Sequence, residues 1–345
     1  MRFQRVSRLV ALAVILTTGT SGAIAAAATE QAAKPSGSIT IYSGRNETLI
    51  KPLLEQFSAD TGIQIQVRYG DSGALASQLL TEGDASPADV FFSQDAGALG
   101  ALSKEQLFTT LSKKTLSMVP KPYRAADRTW VGVSGRVRVF VYNPTLVPRP
   151  PTSINALLNP RWKGKLGFAP TNASWQSFVT GLRLLRGEVK AEKWLRGFAA
   201  NEPKAYASNG AVRDAVNAGQ ISLGLVNHYY IWERINVEGE ANFVARNQYL
   251  GTGDPGGLVN VAGVGILKSS DNKAAARAFV DYLLSKKAQR YFADKTFEYP
   301  LAAGVQPSAK LPKFATLNPP KVDLSDLDTL AATQELLVKT RLLTR

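Results

Sequence analysis

Apolar and polar positions alternate with a period of two over residues 37–42 (Gly-Ser-Ile-Thr-Ile-Tyr) and again over 63–67 (Ile-Gln-Ile-Gln-Val), the pattern of half-buried strands. Between them Leu49, Leu53, Leu54 and Phe57 fall on one helical stripe that Gly62 closes. A strand, a helix and a strand at this spacing predict a parallel pair. Asp71-Ser72-Gly73 opens a further helix carrying Leu75, Leu79 and Leu80, and residues 88–92 (Ala-Asp-Val-Phe-Phe) read as a buried strand. Polar loops follow: Ser43-Gly44-Arg45-Asn46, Asp71-Ser72-Gly73 and Ser93-Gln94-Asp95. In open α/β sheets, ligands bind beyond the carboxyl ends of the strands, so these loops are expected to line a crevice.

Two strand-like runs are unusually long, 130–142 and 257–267. Strands of that length can cross between lobes and act as hinges. Prolines at 144, 148, 150 and 151 mark entry into a second β-α series. It has strands at 165–169 and 221–226, a polar loop at 170–174, and helices at 175–185, about 189–199 and one capped by Asn209-Gly210. Helices at 274–284 and 288–296 then return to the first lobe. The expected fold is α/β, a two-lobed clamshell with two hinge strands. Lobe 1 comprises 37–137 and 262–310, lobe 2 is 138–261, and 311–345 is a C-terminal helical segment packing on the lobes.

The first residues change the picture of where the chain works. Arg2, Arg5 and Arg8 precede the apolar run 9–16, and Ala23-Ile24-Ala25 offers a small-x-small cleavage pattern. Residues 1–28 are expected to be a secretory signal peptide and 29–36 a leader. No later stretch approaches the roughly 18 apolar residues of a membrane span, so a soluble, exported, periplasmic protein is expected. With no cysteine, disulfides, thiolate metal sites and a lipid-bearing cysteine are excluded. The net charge is +14, but lysines and arginines occur in blocks no longer than two. They are not interleaved with aromatics as a single-strand-binding groove requires. No nucleic-acid partner is expected.

Candidate chemistry gathers at Asn227-His228-Tyr229-Tyr230, just after the strand 221–226. Neighbouring side chains on extended backbone diverge, so two phenols reach one ligand only if the chain bends there, which Asn227 tolerates. Phenol has a pKa near 10 and ligates well only where a strong Lewis acid drives off its proton, which points to a hard, highly charged cation such as Fe³⁺. Tyr142, ending the first long strand, lies where the lobes are expected to meet. The single histidine, His228, excludes multi-histidine metal sites and fits a supporting role. Gly251-Thr252-Gly253-Asp254-Pro255-Gly256 has the letters of a dinucleotide fingerprint, but Pro255 and the strand after it deny the helix N-terminus that motif needs. No convergent nucleophile, base and orienting group suggests an enzyme.

Several ordered blocks resemble the periplasmic ferric-ion-binding proteins, the substrate-binding components of iron ABC importers. They are Ile41-Tyr42-Ser43-Gly44, Glu55-Gln56-Phe57 with Thr61-Gly62-Ile63, Pro87-Ala88-Asp89-Val90-Phe91, and residues 130–136 (Trp-Val-Gly-Val-Ser-Gly-Arg). Asn159-Pro160-Arg161-Trp162-Lys163-Gly164-Lys165, Val226-Asn227-His228-Tyr229-Tyr230 and Glu298-Tyr299-Pro300-Leu301 complete the set. The resemblance runs from about 38 to 310 and implies a type II-like periplasmic-binding-protein clamshell, with Tyr229 and Tyr230 as iron ligands. One branch adds a histidine and a glutamate; the matching positions here are Asn46 and Gln94, neither a good ferric ligand. Another adds a third tyrosine and an arginine-held carbonate, which implies Tyr142 as ligand and Arg136 at the synergistic anion. Arg45, Asn172, Ser174, Asn209 and Asn227 are further candidates for that anion, whether carbonate or similar. The implied action is capture by a monomer and delivery to a membrane ABC permease, without catalysis. Clamshells of this kind also take phosphonates, thiamine or polyamines; a cationic amine would prefer acidic walls, and a phosphonate leaves the tyrosine pair without a role.

Overall fold

The computed structural model describes residues 37–343; the expected signal peptide and leader lie outside them. The chain runs β1 (Ser38–Ser43), α1 (Glu47–Thr61), β2 (Gln64–Tyr69), α2 (Ser72–Glu82), β3 (Val90–Ser93), α3 (Ala96–Lys104), α4 (Lys113–Ser117) and β4 (Trp130–Tyr142). It continues with β5 (Leu166–Phe168), α5 (Ala173–Arg186), α6 (Glu188–Ala200), β6 (Lys204–Ala205), α7 (Asn209–Asn217), β7 (Leu223–Asn227), α8 (Tyr230–Glu238) and β8 (Arg246–Gln248). The last elements are β9 (Val259–Ile266), α9 (Lys273–Leu283), α10 (Lys286–Asp294), β10 (Tyr299–Pro300) and α11 (Leu330–Lys339).

The strands form one curled sheet in the order β2-β1-β3-β9-β4-β7-β5-β6, with β8 and β10 also paired to β4. Parallel pairs, β1 with β2 and β3, and β5 with β6 and β7, occupy its two ends. β4 joins them. Residues 130–137 of β4 run antiparallel to β9, and Arg138–Tyr142 run antiparallel to β7. The strand therefore changes partners at Arg136–Arg138, where the two half-sheets of this two-lobed α/β fold meet.

Side-chain alternation on β4 sorts the core. Val131 and Val133 belong to the first lobe's cluster with Ile41, Phe57 and Phe91. Further along, Val137, Val139 and Val141 pack with Tyr229 and Tyr230 on one face. Phe140 and Tyr142 pack on the other face with Trp162, Trp175 and Phe178. Among the described residues no helix is long and apolar enough to cross a membrane.

Candidate functional site

β7 ends at Asn227, and α8 begins at Tyr230 with Tyr229 as its N-cap. The sharp strand-to-helix turn brings two consecutive side chains together. The rings of Tyr229 and Tyr230 stack 4.4 Å apart at 26°, and both are buried. Burial drives the Tyr229 hydroxyl well above the ordinary phenol range, with Tyr230 adding to the shift while Arg136 and Arg45 oppose it. Tyr230 is also raised, first by burial and then by Glu233. Both phenols therefore keep their protons at neutral pH unless a strong cation takes their place.

His228 anchors the turn from behind. Its Nδ1 accepts from the Val137 amide at 3.3 Å and its Nε2 donates to the Phe297 carbonyl at 2.8 Å. Burial, first, and the Arg136 charge lower its pKa to about 4. With both ring nitrogens engaged on backbone, it is a structural pin rather than a metal donor.

Two walls flank the tyrosines. Beside Tyr230, Asn172 caps α5, its Oδ1 accepting from Ser174 N at 3.0 Å and Ser174 Oγ at 2.7 Å. Asn209 Nδ2 donates to Asn172 Oδ1 at 3.1 Å and to Ser174 Oγ at 2.9 Å. Arg138 donates to Ser174 Oγ and to the Leu225 carbonyl, each at 3.0 Å, and lies over Trp175 and Phe178. Burial depresses its pKa to about 9.

The wall beside Tyr229 is built from distant parts of the chain. Arg45 follows β1, where Gly44 passes so close to Ser72 that a Cβ would sit 1.9 Å from its Oγ. Arg45 Nη2 donates to Glu298 Oε2 at 2.6 Å, and Arg136 Nε stands 4.0 Å from Glu298 Oε1. All three groups are buried. Arg45 Nε and Nη1, every guanidinium nitrogen of Arg136, and Glu298 Oε1 have no hydrogen-bond partner among the described residues. Unmatched buried donors are costly, so this wall suits an acceptor-rich ligand.

Residues 42–290 match the model of the bacterial extracellular solute-binding protein family. The chain belongs to that family. The Fe(3+)-binding periplasmic protein of Serratia marcescens is 35% identical over 302 residues, covering 87% of this chain and 89% of the relative. Iron-bound HitA from Pseudomonas aeruginosa superposes with a TM-score of 0.84 at 33% identity, covering 88% of this chain and 99% of HitA. Trichodesmium IdiA (FutA), solved with iron and citrate, follows with a TM-score of 0.75 and 29% identity over 88% of this chain and 99% of that one. Solute-binding proteins of this family carry substrates rather than transform them.

Against this solute-binding frame the expected site residues divide. The structure brings together Tyr229, Tyr230, Arg45 and Arg136 on one side, and Asn172, Ser174 and Asn209 on the other. Asn227, opposite Arg138 in the β4–β7 register, is buried with its Nδ2 unpaired among the described residues. Tyr142 is a correction. It pairs with Leu223, four residues along β4 from Arg138 and so about 13 Å away, and it packs on the sheet face opposite the tyrosine pair. Asn46 is exposed and caps α1 through Thr48 N at 2.9 Å. Asn209 is the first residue of α7, whose cap is Ser208, not the cap itself. Arg138, Glu298 and Glu233 were missed. Burial lifts the Glu233 carboxyl to about 7 despite Arg213 beside it at 3.2 Å. Among the described residues no group of three or more His, Cys, Asp or Glu could hold a metal; the hard donors here are phenols.

Proposed function

We propose that this chain captures ferric iron, with a synergistic oxyanion, between its two lobes and delivers it to a membrane ABC permease. The observation that carries the reading is the buried, stacked Tyr229–Tyr230 pair with guanidinium groups on both sides. Similarity to Fe(3+)-binding periplasmic proteins supports it. As iron binds, each phenol gives up its proton, and two phenolates leave one positive charge on Fe³⁺. Arg136, with five donors in a planar fork, holds an anion such as carbonate against the metal, with Arg45 beside it in the same wall. Asn172, Ser174, Asn209 and Asn227 fix the opposite wall. The ligand set proposed is Tyr229 and Tyr230 with the anion, without Tyr142.

The chain acts as a monomer in the periplasm, exported by residues 1–28. Lobe 1 comprises 37–137 and 262–310 and lobe 2 comprises 138–261; they move about β4 and β9. The C-terminal segment reaches across both. Its 3-10 turn Leu324–Asp328 buries Leu324 and Leu327 in the first lobe's core, whereas Leu336 and Leu337 of α11 enter the second lobe's core.

The test is a visible absorption titration of purified protein with ferric citrate, with bicarbonate or phosphate supplied. A tyrosinate-to-iron charge-transfer band saturating at one equivalent is expected. No band under any of these anions sinks the reading and favours an organic anion as the solute.

A further inference from the structure

The proposed function uses the tyrosines and arginines but gives no task to the acid buried among them. Glu298 is fully buried, and its carboxylate is firmly held. Oε2 accepts from Arg45 Nη2 at 2.6 Å and from Thr296 Oγ1 at 3.0 Å. The Glu298 amide donates to the Phe292 carbonyl at 2.9 Å. The preceding residue, Phe297, has φ of 54° and its carbonyl is fixed by His228. A non-glycine residue in that conformation persists only where its surroundings dictate it. The backbone thus aims Glu298 between the two guanidinium groups.

The consequence is electrostatic. Arg45 and Glu298 form a closed ion pair, so of their charges little remains for a ligand. Arg136 keeps its whole fork of donors, with Oε1 of Glu298 standing 4.0 Å from its Nε and making no hydrogen bond, so the two guanidinium groups and the one carboxylate together leave about one positive charge for a ligand. A small planar oxyanion can take the Arg136 fork alone, in the bidentate manner guanidinium favours. A larger, more highly charged anion exceeds that single positive charge, draws on Arg45, which Glu298 already holds, and brings more negative charge against the unpaired Oε1 of Glu298. Like charges in a buried site repel strongly.

Resting on the iron-and-anion reading above, we propose that Glu298 is a specificity-determining residue: it cancels Arg45 and so selects a small oxyanion of low charge over a polycarboxylate. The residue acts through the two arginines and does not itself touch the anion.

The experiment measures bicarbonate and citrate binding to iron-free protein at fixed ionic strength by calorimetry, and expresses the result as the ratio of citrate to bicarbonate affinity. Glu298→Gln is expected to raise the ratio about tenfold or more, and Arg45→Gln to lower it by a similar factor, because each leaves one charge of the pair uncancelled. The double variant is expected to return within about threefold of wild type, since both charges are gone. If Glu298→Gln does not fold, the opposite shift in Arg45→Gln still decides. Ratios that stay put in the folded variants, or move in the same direction in both single variants, overturn the proposal. The wild-type iron band is read separately: its absence defeats the iron reading, while the anion ratios still report on Glu298.

Discussion

The two walls of the tyrosine pair are made of similar residues and do opposite things. On the Tyr230 side, Arg138, Ser174, Asn172 and Asn209 are joined to each other by side-chain hydrogen bonds. On the Tyr229 side, Arg136 spends none of its guanidinium nitrogens on the described residues. The first wall is cross-linked before a ligand arrives, with Arg138 Nε, Asn209 Oδ1 and Asn227 Nδ2 left over among the described residues, and it orients Tyr230; the second is left electrostatically open. A saturated network adds stability, whereas buried unmatched donors subtract from it and are kept for binding. Affinity for an anion and stability of the empty protein should therefore trade against each other residue by residue.

The largest effect should come from the pair itself. Tyr229→Phe and Tyr230→Phe each remove a phenolate, so each should abolish the charge-transfer band and weaken ferric binding by about two orders of magnitude or more, since even supporting residues around metals cost 10–100-fold. If one variant keeps the full band, the two tyrosines are not equivalent ligands.

Arg136→Gln and Asn209→Ala then set one wall against the other. Removing Arg136 deletes unmatched buried donors, so thermal stability of the iron-free protein should rise by about 1–3 kcal/mol while iron affinity in bicarbonate falls about tenfold or more. Removing Asn209 breaks two hydrogen bonds, so stability should fall by about 1–2 kcal/mol with iron affinity within about threefold. Shifts of the same sign in both variants would erase the distinction between the walls.

Which parts of this contrast were legible in the sequence follows from distance along the chain. The Tyr230 wall comes from helix starts, and Asn172 and Ser174 announce themselves by capping chemistry. The long β4 and the tyrosines at a strand end were equally readable from periodicity. The Tyr229 wall depends on Arg45 meeting Glu298 across 253 positions, which no local pattern encodes. Tyr142 misled because its place at the end of a hinge strand suggested the cleft. Only the β4–β7 register reveals that the strand carries it away from the tyrosines. Arg138 escaped notice because it repeats the chemistry of Arg136 two residues on, and only the partner change in β4 gives the two different surroundings.

His228 ties the walls together, joining the hinge at Val137 to Phe297 beside Glu298, and its burial has a pH signature. Its pKa falls from 6.5 to about 4 on folding. The stability it contributes is therefore complete above pH 6.5 and is lost as pH falls through 4, to a total of about 3 kcal/mol. Glu298 and Arg136 are the charges acting on it. Glu233, raised from 4.5 to about 7, works in the opposite sense, its stabilisation lost as pH rises through 7. The histidine is accordingly isolated as the difference between wild type and His228→Gln in urea unfolding of iron-free protein from pH 7 to 4. A constant difference across that range would remove His228 from its role as the neutral pin between the walls.

The smallest expected effect tests whether the walls are free to part. Leu327 is seated so tightly on α3 that a Cβ on Gly97 would lie 2.7 Å from its carbonyl oxygen. Beyond it, Arg183 Nη1 donates to Thr329 O, Thr329 Oγ1 and Thr333 Oγ1 at 3.2, 3.0 and 2.8 Å, and Lys339 pairs with Glu192 at 2.7 Å. One end of this short segment is thus fastened to each lobe, over a cavity of about 340 Å³ lined by Asp95, Ala98, Thr171, Ala173, Leu327 and Leu330. Separating the walls must stretch the segment or detach one end. Six Gly-Ser residues inserted between Asp328 and Thr329 keep both attachments and lengthen the span. Loop-closure entropy makes this cost only about 1 kcal/mol of stability. Iron transfer to an external chelator should quicken about two- to fivefold and the iron-free protein should expand in solution scattering, if the segment limits opening on the timescale of lobe motion. Unchanged transfer and unchanged dimensions would show that this segment does not limit how far Tyr229's wall moves from Tyr230's.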